Sequence, residues 1–219
     1  MPTLLILHVV DDPSTWTRIG FSVEGGRVRI GSTVVEFLGD EKASNHGIAG
    51  WTLDGSGPET IDGLSTSYAL PLGVGTPSVP HANGVVSIDH LVVSTPDLER
   101  TVAVLEGLGM ACRRRRDGAA YGTEKMRQAF FWLGEDAERV LLEVVGPATI
   151  DPSKANDPAK FFGLAVVSAD LDRTGAFYGD LMKPPTEAVQ AGRRIATLSS
   201  RSGCKVALAF MSAHVSVPE

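Results

Sequence analysis

Residues 88–93, Ile88-Asp89-His90-Leu91-Val92-Val93, form a short β-rich run that closes at Ser94-Thr95-Pro96-Asp97. Leu98, Thr101, Val102, Leu105 and Leu108 then recur at helical spacing, with Thr95 placed to cap the helix, Pro96 in its first turn and Gly109 as its stop. Met110-Ala111-Cys112-Arg113 reads as a strand entering a run of arginines, Arg113 to Arg116. Alternation over residues 127–133 sets Gln128, Phe130 and Trp132 on one face and Arg127, Ala129, Phe131 and Leu133 on the other. A turn at Gly134-Glu135-Asp136 leads into a last apolar run over 139–145, which contains Glu143. The pattern predicts β-α-β-β-β.

The same pattern occurs a second time. The segment from His90 to Thr101 (HLVVSTPDLERT) reappears without gaps from Gly163 to Thr174 (GLAVVSADLDRT). A strand over 162–167, a helix over 171–181 ended by Pro184-Pro185, a weakly marked strand over 186–189, and strands over 193–198 and 205–211 repeat the order. Between the copies, residues 147–160 carry Pro147, Pro152 and Pro158 among polar residues, as a linker does. The N-terminal residues read as a worn third copy: a strand over 5–10, a shortened helix holding Trp16, and Val34-Val35-Glu36-Phe37-Leu38-Gly39 mirroring Leu141-Leu142-Glu143-Val144-Val145-Gly146. Residues 48–53 begin a further fragment, and 54–84 read mostly as loop. The expected division is therefore 1–84, a degenerate partial module with a linker, and 85–212, a paired-module domain. An internal repeat constrains architecture more than any single motif.

Composition narrows the function. With 43% hydrophobic and 21% charged residues the chain is an ordinary globular protein. A net charge of −6 leaves no cationic excess to neutralise phosphates, which argues against a nucleic-acid binder. Two cysteines without CxxC spacing, Cys112 and Cys204, fit a reducing cytoplasm and no disulfide framework. The apolar run from Leu4 to Val10 is too short to span a membrane and lacks the flanks of a signal peptide, so it reads as a buried strand. The arginine run reads as the solvated flank of a strand, balanced by Asp117.

The chemistry-bearing residues sit inside apolar strands. A carboxylate within Leu141-Leu142-Glu143-Val144-Val145 is costly to bury unpaired, so Glu143 should face a cavity, a partner or water. His90 lies on the first strand of the same module. Gln128 and Trp132 open toward the same face. Arg193 stands at the matching place in the second copy, suited to hold a carboxylate through its fork of donors.

Two tandem βαβββ modules, carried by IDHLVVSTPDLERT, RQAFFWLG, VLLEVVGP, GLAVVSADLDRT, GRRIATL and KVALAFM, resemble the vicinal oxygen chelate superfamily, the group of glyoxalases, bleomycin-resistance proteins and extradiol dioxygenases. The resemblance covers residues 85–212 well and 1–53 weakly. It implies an α+β fold in which tandem βαβββ modules form an open, glyoxalase-like half-barrel, with a degenerate N-terminal module. It also implies a divalent metal (Zn, Ni, Mn, Fe or Co) held between the halves by up to four first-strand and fourth-strand residues. On those positions this chain has His90 and Glu143 in the first module, but Gly163 and Ala209 in the second. Glu36, at the fourth-strand position of the worn copy, is the preferred recruit to complete the site, with His8 and His214 as other sources.

Three functions follow as expectations. The first is a cytoplasmic small-molecule-binding protein with an incomplete metal site and no cofactor. Its ligand is a small organic molecule, with carboxylate-bearing compounds among the candidates, oriented by Gln128, Trp132 and Arg193. The second is a metal-dependent lyase, isomerase or dioxygenase with His90, Glu143 and Glu36 as ligands and Glu143 as general base. The third is a structural protein whose cavity is filled by side chains. No nucleic acid or membrane is expected as a partner, and pairing of chains into a homodimer is implied by the resemblance.

Overall fold

The computed structural model describes residues 1–39, 47–70, 79–121, 124–135 and 139–213. The second half of the chain holds β7 (Val85–Ser94), α2 (Leu98–Gly107), β8 (Arg114–Tyr121), β9 (Glu124–Leu133) and β10 (Val140–Pro147). The set then repeats as β11 (Lys160–Ser168), α3 (Leu171–Tyr178), β12 (Thr186–Glu187), β13 (Arg194–Thr197) and β14 (Ala207–Ser212). Together these strands make one eight-stranded sheet, ordered β12-β13-β14-β11-β7-β10-β9-β8. In each copy the fourth strand returns parallel to the first, and the two first strands, β7 and β11, pair antiparallel at the centre. The sheet curls into an open half-barrel.

Before it lie β1 (Leu4–Val10), α1 (Pro13–Arg18), β2 (Arg27–Ile30), β3 (Thr33–Phe37), β4 (Gly47–Asp54), β5 (Thr60–Ile61) and β6 (Leu64–Ala69). They form a second sheet ordered β2-β3-β1-β4-β6-β5. Again β1 and β4 pair antiparallel at the centre, with β3 parallel to β1 and β6 parallel to β4. This sheet is the eight-stranded one without its two outermost strands and without one helix. The N-terminal region therefore contains two worn modules, the second beginning at the fragment expected over 48–53. The loop expected over 54–84 instead carries β5 and β6. Both are short, and they become strands through pairing, β6 with β4 and β5 with β6, rather than through their own propensity.

Helix α2 buries Leu98, Thr101, Val102 and Leu105 on β9 and β10. Its N-cap is Asp97, whose carboxylate accepts from Arg100 N, and not the expected Thr95. Thr95 Oγ1 accepts from Asp97 N and Thr101 Oγ1, bracing the turn from inside. Asp170 caps α3 in the same way. The second strand of the first copy starts at Arg114, later than the expected Met110–Arg113, because Met110 is pulled into the core beneath α2.

Leu91, Val93, Ala129, Phe131, Leu142, Val144, Val166 and Phe210 are fully buried on the helical face. Each such side chain contributes roughly 1.5–3 kcal/mol of transfer free energy, with small residues below that range. The six-stranded sheet joins this face: Trp51 of β4 packs edge-on against Phe161 of β11. Asp62, in the β5–β6 turn, accepts from Arg100 Nε of α2 at 2.8 Å. Among the described residues no helix is long and apolar enough to cross a membrane.

Candidate functional site

The other face of the eight-stranded sheet is concave and carries the polar residues. Strand register sets Gln128, Phe130 and Trp132 of β9 beside Val145, Glu143 and Leu141 of β10. Beyond them lie Val92 and His90 of β7, then Gly163 and Ala165 of β11, and Ala207 and Ala209 of β14. Expected site residues His90, Glu143, Gln128 and Trp132 therefore share one groove.

Pairing between β7 and β11 shifts register at Asp89: Ala165 faces His90, and Val166 faces Ile88. Asp89 is the extra residue of a β-bulge, which turns its side chain to the same side as His90. Its Oδ2 lies 2.8 Å from His90 Nδ1. A carboxylate only accepts, so the ring donates from Nδ1, and Nε2 is left toward Glu143. Glu143 Oε2 stands 3.5 Å from that nitrogen. Gln128 Nε2 donates to the other oxygen, Glu143 Oε1. Glu143 and Gln128 are each 6% exposed, and the His90 side chain 15%.

Two acceptors facing each other across 3.5 Å repel unless a proton or a donor group stands between them. The pair is thus built to hold a proton or to take a donor from a bound molecule. Gln128 Oε1 is buried without a hydrogen-bond partner. Turning the amide over would set two oxygens against each other, so this acceptor stays buried and unsatisfied.

Arg193 does not present its guanidinium to a ligand as expected. It is 3% exposed, and every edge is committed: Nε donates to Ser212 O at 2.9 Å, Nη1 to Gln190 Oε1 at 2.5 Å, and Nη2 lies 2.6 Å from Asp89 Oδ1. The last contact is off the line of a good hydrogen bond and is chiefly coulombic. Burial by itself would raise the Asp89 carboxyl, but the hydrogen bonds and charges of His90 and Arg193 outweigh it and hold it below the usual carboxylate value. Arg193 is a positioning residue: it fixes Asp89, and Asp89 fixes His90. Sequence reasoning missed Asp89, because strict alternation sends it to the opposite face from His90. The available signal was an acid in an otherwise apolar strand.

Glu36 does not join this site. It lies on β3 in the six-stranded sheet, paired in register with His8. Its Oε2 is 3.1 Å from His8 Nδ1, and Arg27 Nε donates to Oε1 at 2.9 Å. The hydrogen bond from Arg27 holds its carboxyl below the usual range. His8 Nε2 is taken by Thr52 Oγ1 at 2.8 Å. The worn module thus keeps a first-strand His and a fourth-strand Glu; Arg27 and Thr52 take the far side of each, while His8 Nδ1 is buried beside Glu36 without a well-formed hydrogen bond. His214 lies outside the described residues.

The fold implies a divalent metal between the halves, and the donor set does not fit it. The two halves have the same register, so Gly163 stands where His90 stands, and Ala209 where Glu143 stands. A Cβ on Gly163 would meet Ala207 O at 2.6 Å, so the backbone leaves no room there for a ligating side chain. Among the described residues no group of three or more His, Cys, Asp or Glu side chains is arranged to hold a metal.

No family model matches the sequence, and no curated protein matches it. Among solved structures, a mutant of 4-hydroxymandelate synthase from Streptomyces coelicolor is similar over 99% of this chain and 94% of its own, with a TM-score of 0.62 and 12% identity. Streptomyces coelicolor methylmalonyl-CoA epimerase, in complex with 2-nitronate-propionyl-CoA, is similar over 60% of this chain and 99% of its own (TM-score 0.46, 19% identity). The methylmalonyl-CoA epimerase of Mycobacterium tuberculosis is similar over 60% and 91% (TM-score 0.45, 17% identity). At these identities the likeness is one of fold, the half-barrel of tandem βαβββ modules that the sequence led us to expect. One fold hosts many activities, so function rests on the groove.

Proposed function

We propose that the protein binds a small organic molecule on the concave face of its eight-stranded sheet, without the four-ligand metal centre of its fold class. The observation that supports this reading most is the facing pair His90 Nε2 and Glu143 Oε2, braced from behind by Asp89 and Gln128. These groups take a donor from the ligand, and Trp132 and Phe130 supply apolar surface beside them. A filled cavity, as in a purely structural protein, is the less economical reading, since it leaves Gln128 Oε1 buried and unpaired at a cost of about 1–3 kcal/mol.

A second reading is favoured by the Asp89–His90 contact. A ring held at Nδ1 with its Nε2 bare is arranged to take a proton, so the groove suits proton abstraction from a bound molecule, with Glu143 as the neighbouring proton holder. The metal-dependent lyase, isomerase or dioxygenase would need further ligands beyond His90 and Glu143. A homodimer and a cytoplasmic location belong to the same proposal.

The test is elemental analysis of protein purified without a metal-affinity tag, beside a His90→Ala/Glu143→Ala variant. Neither protein should carry near-stoichiometric transition metal, and a thermal-shift screen of organic acids and antibiotics should yield ligands of the wild type only. Near-stoichiometric metal in the wild type, lost in the variant, would sink the metal-free reading.

A further inference from the structure

We infer that Arg114 and Arg116 form an anion-binding rim on this groove, and that its ligand is an organic anion carrying an O–H or N–H donor. The inference rests on the groove being a ligand site, as proposed above.

Alternation along β8 divides the arginine run. Arg115 pairs in register with Ala129, on the helical side of the sheet. Its Nη1 lies 2.6 Å from Glu99 of α2, and Arg127 Nη2 lies 2.8 Å from the same carboxylate. The helical-side arginines thus clamp α2 and are neutralised. Arg114 pairs with Phe130 and Arg116 with Gln128, so both stand on the groove side. Neither guanidinium has an acidic partner among the described residues. In a chain of net charge −6, two cations left side by side without counter-ions are set against the general excess of acid.

A second, independent observation lies next to them. Gln128, the cross-strand neighbour of Arg116, is 6% exposed, and its Oε1 has no partner. The groove therefore offers cations at the β8 rim and, farther in, an unsatisfied acceptor at Gln128 beside His90 and Glu143. Adjacent strands lie about 4.8 Å apart, so the β8 and β10 rows are separated by about 10 Å. A single aromatic ring with a charged group at one end and a donor at the other spans much of that distance. Phe130 lies between the rows to pack against it. Carboxylate and phosphate are both matched by the planar fork of arginine, and the groove chemistry they share is the anionic oxygen pair.

Isothermal titration calorimetry on the full chain tests this with 4-hydroxybenzoate, 4-hydroxyphenyl phosphate and the neutral 4-hydroxybenzamide. The wild type should bind at least one anion about tenfold or more tighter than the amide. The Arg114→Gln/Arg116→Gln variant should lose that preference and keep its affinity for the amide. Which anion binds tighter separates a carboxylate ligand from a phosphate one. Equal affinity for anions and amide in the wild type, a comparison that needs no variant, would overturn the rim and leave the groove standing. So would an anion preference that survives in the variant. Failure of all three probes to bind would overturn the groove reading, and the rim with it.

Discussion

Arg193 shows how a residue can serve a site without facing it. Its side chain and that of Asp89 are both nearly inaccessible, at 2% and 8% exposure, and stand 2.6 Å apart. Removing one partner of such a pair costs about 3–5 kcal/mol, because a charge is left buried alone. Arg193→Ala should therefore lower unfolding stability by that order in urea titration, while Arg194→Ala, at an exposed ion pair with Asp172, should leave it nearly unchanged. The Asp89 carboxyl is held below its ordinary value, so its stabilising contribution is complete above about pH 4 and is lost as pH falls through the depressed value. Asp89→Asn should flatten the acid limb of the stability curve, read by thermal unfolding across pH. At this scale alternation set Gln128 and Trp132 on one face and the resemblance singled out His90 and Glu143; strand register brings the two pairs together. Asp89 was hidden by the bulge. The role of Arg193 was hidden because nothing local shows that a side chain before β13 reaches back to β7.

Among the elements, the modules were legible where a long apolar period supports them. β7, α2, β9, β10, β11, α3 and β14 lie where the pattern puts them, within a few residues. β5 and β6 are only two and six residues long and exist by pairing, which no local period reports, and β12 is two residues within the strand weakly marked over 186–189. Gly163 marks an element-level constraint. Its missing side chain lets β11 and β14 approach until a Cβ would sit 2.6 Å from Ala207 O. Gly163→Ala should destabilise the fold by about 1–3 kcal/mol, the usual cost of overpacking. A variant as stable as the wild type would show that this strand pair can separate to admit a side chain.

At the scale of the molecule, one continuous apolar core runs through both sheets, from Leu4 and Trp16 to Leu208 and Phe210. Asp11 ties the ends together: Trp16 Nε1 donates to its Oδ2 at 3.0 Å, and Lys205 N donates to the same oxygen at 2.8 Å. Two worn modules have thus given up their own groove and become the backing of the other pair. Their surviving His8–Glu36 contact is flanked by Arg27 and Thr52. The fragment 85–213 should consequently be far less stable than the whole chain, and the whole chain should unfold in a single transition by calorimetry. Two separate transitions would show that the sheets are independent.

In the groove His90 Nε2 faces Glu143 Oε2 at 3.5 Å, while Asp89 and Gln128 hold the far side of each. Nitrogen-15 imidazole NMR of the full chain, with His90 assigned from a His90→Ala variant, tests this most directly. The account predicts an Nδ1–H tautomer bonded to Asp89, with Nε2 unmoved by stoichiometric Zn²⁺ and shifted by an organic ligand of the groove. A metal-type shift of Nε2 at stoichiometric Zn²⁺, abolished in Glu143→Gln, would contradict it.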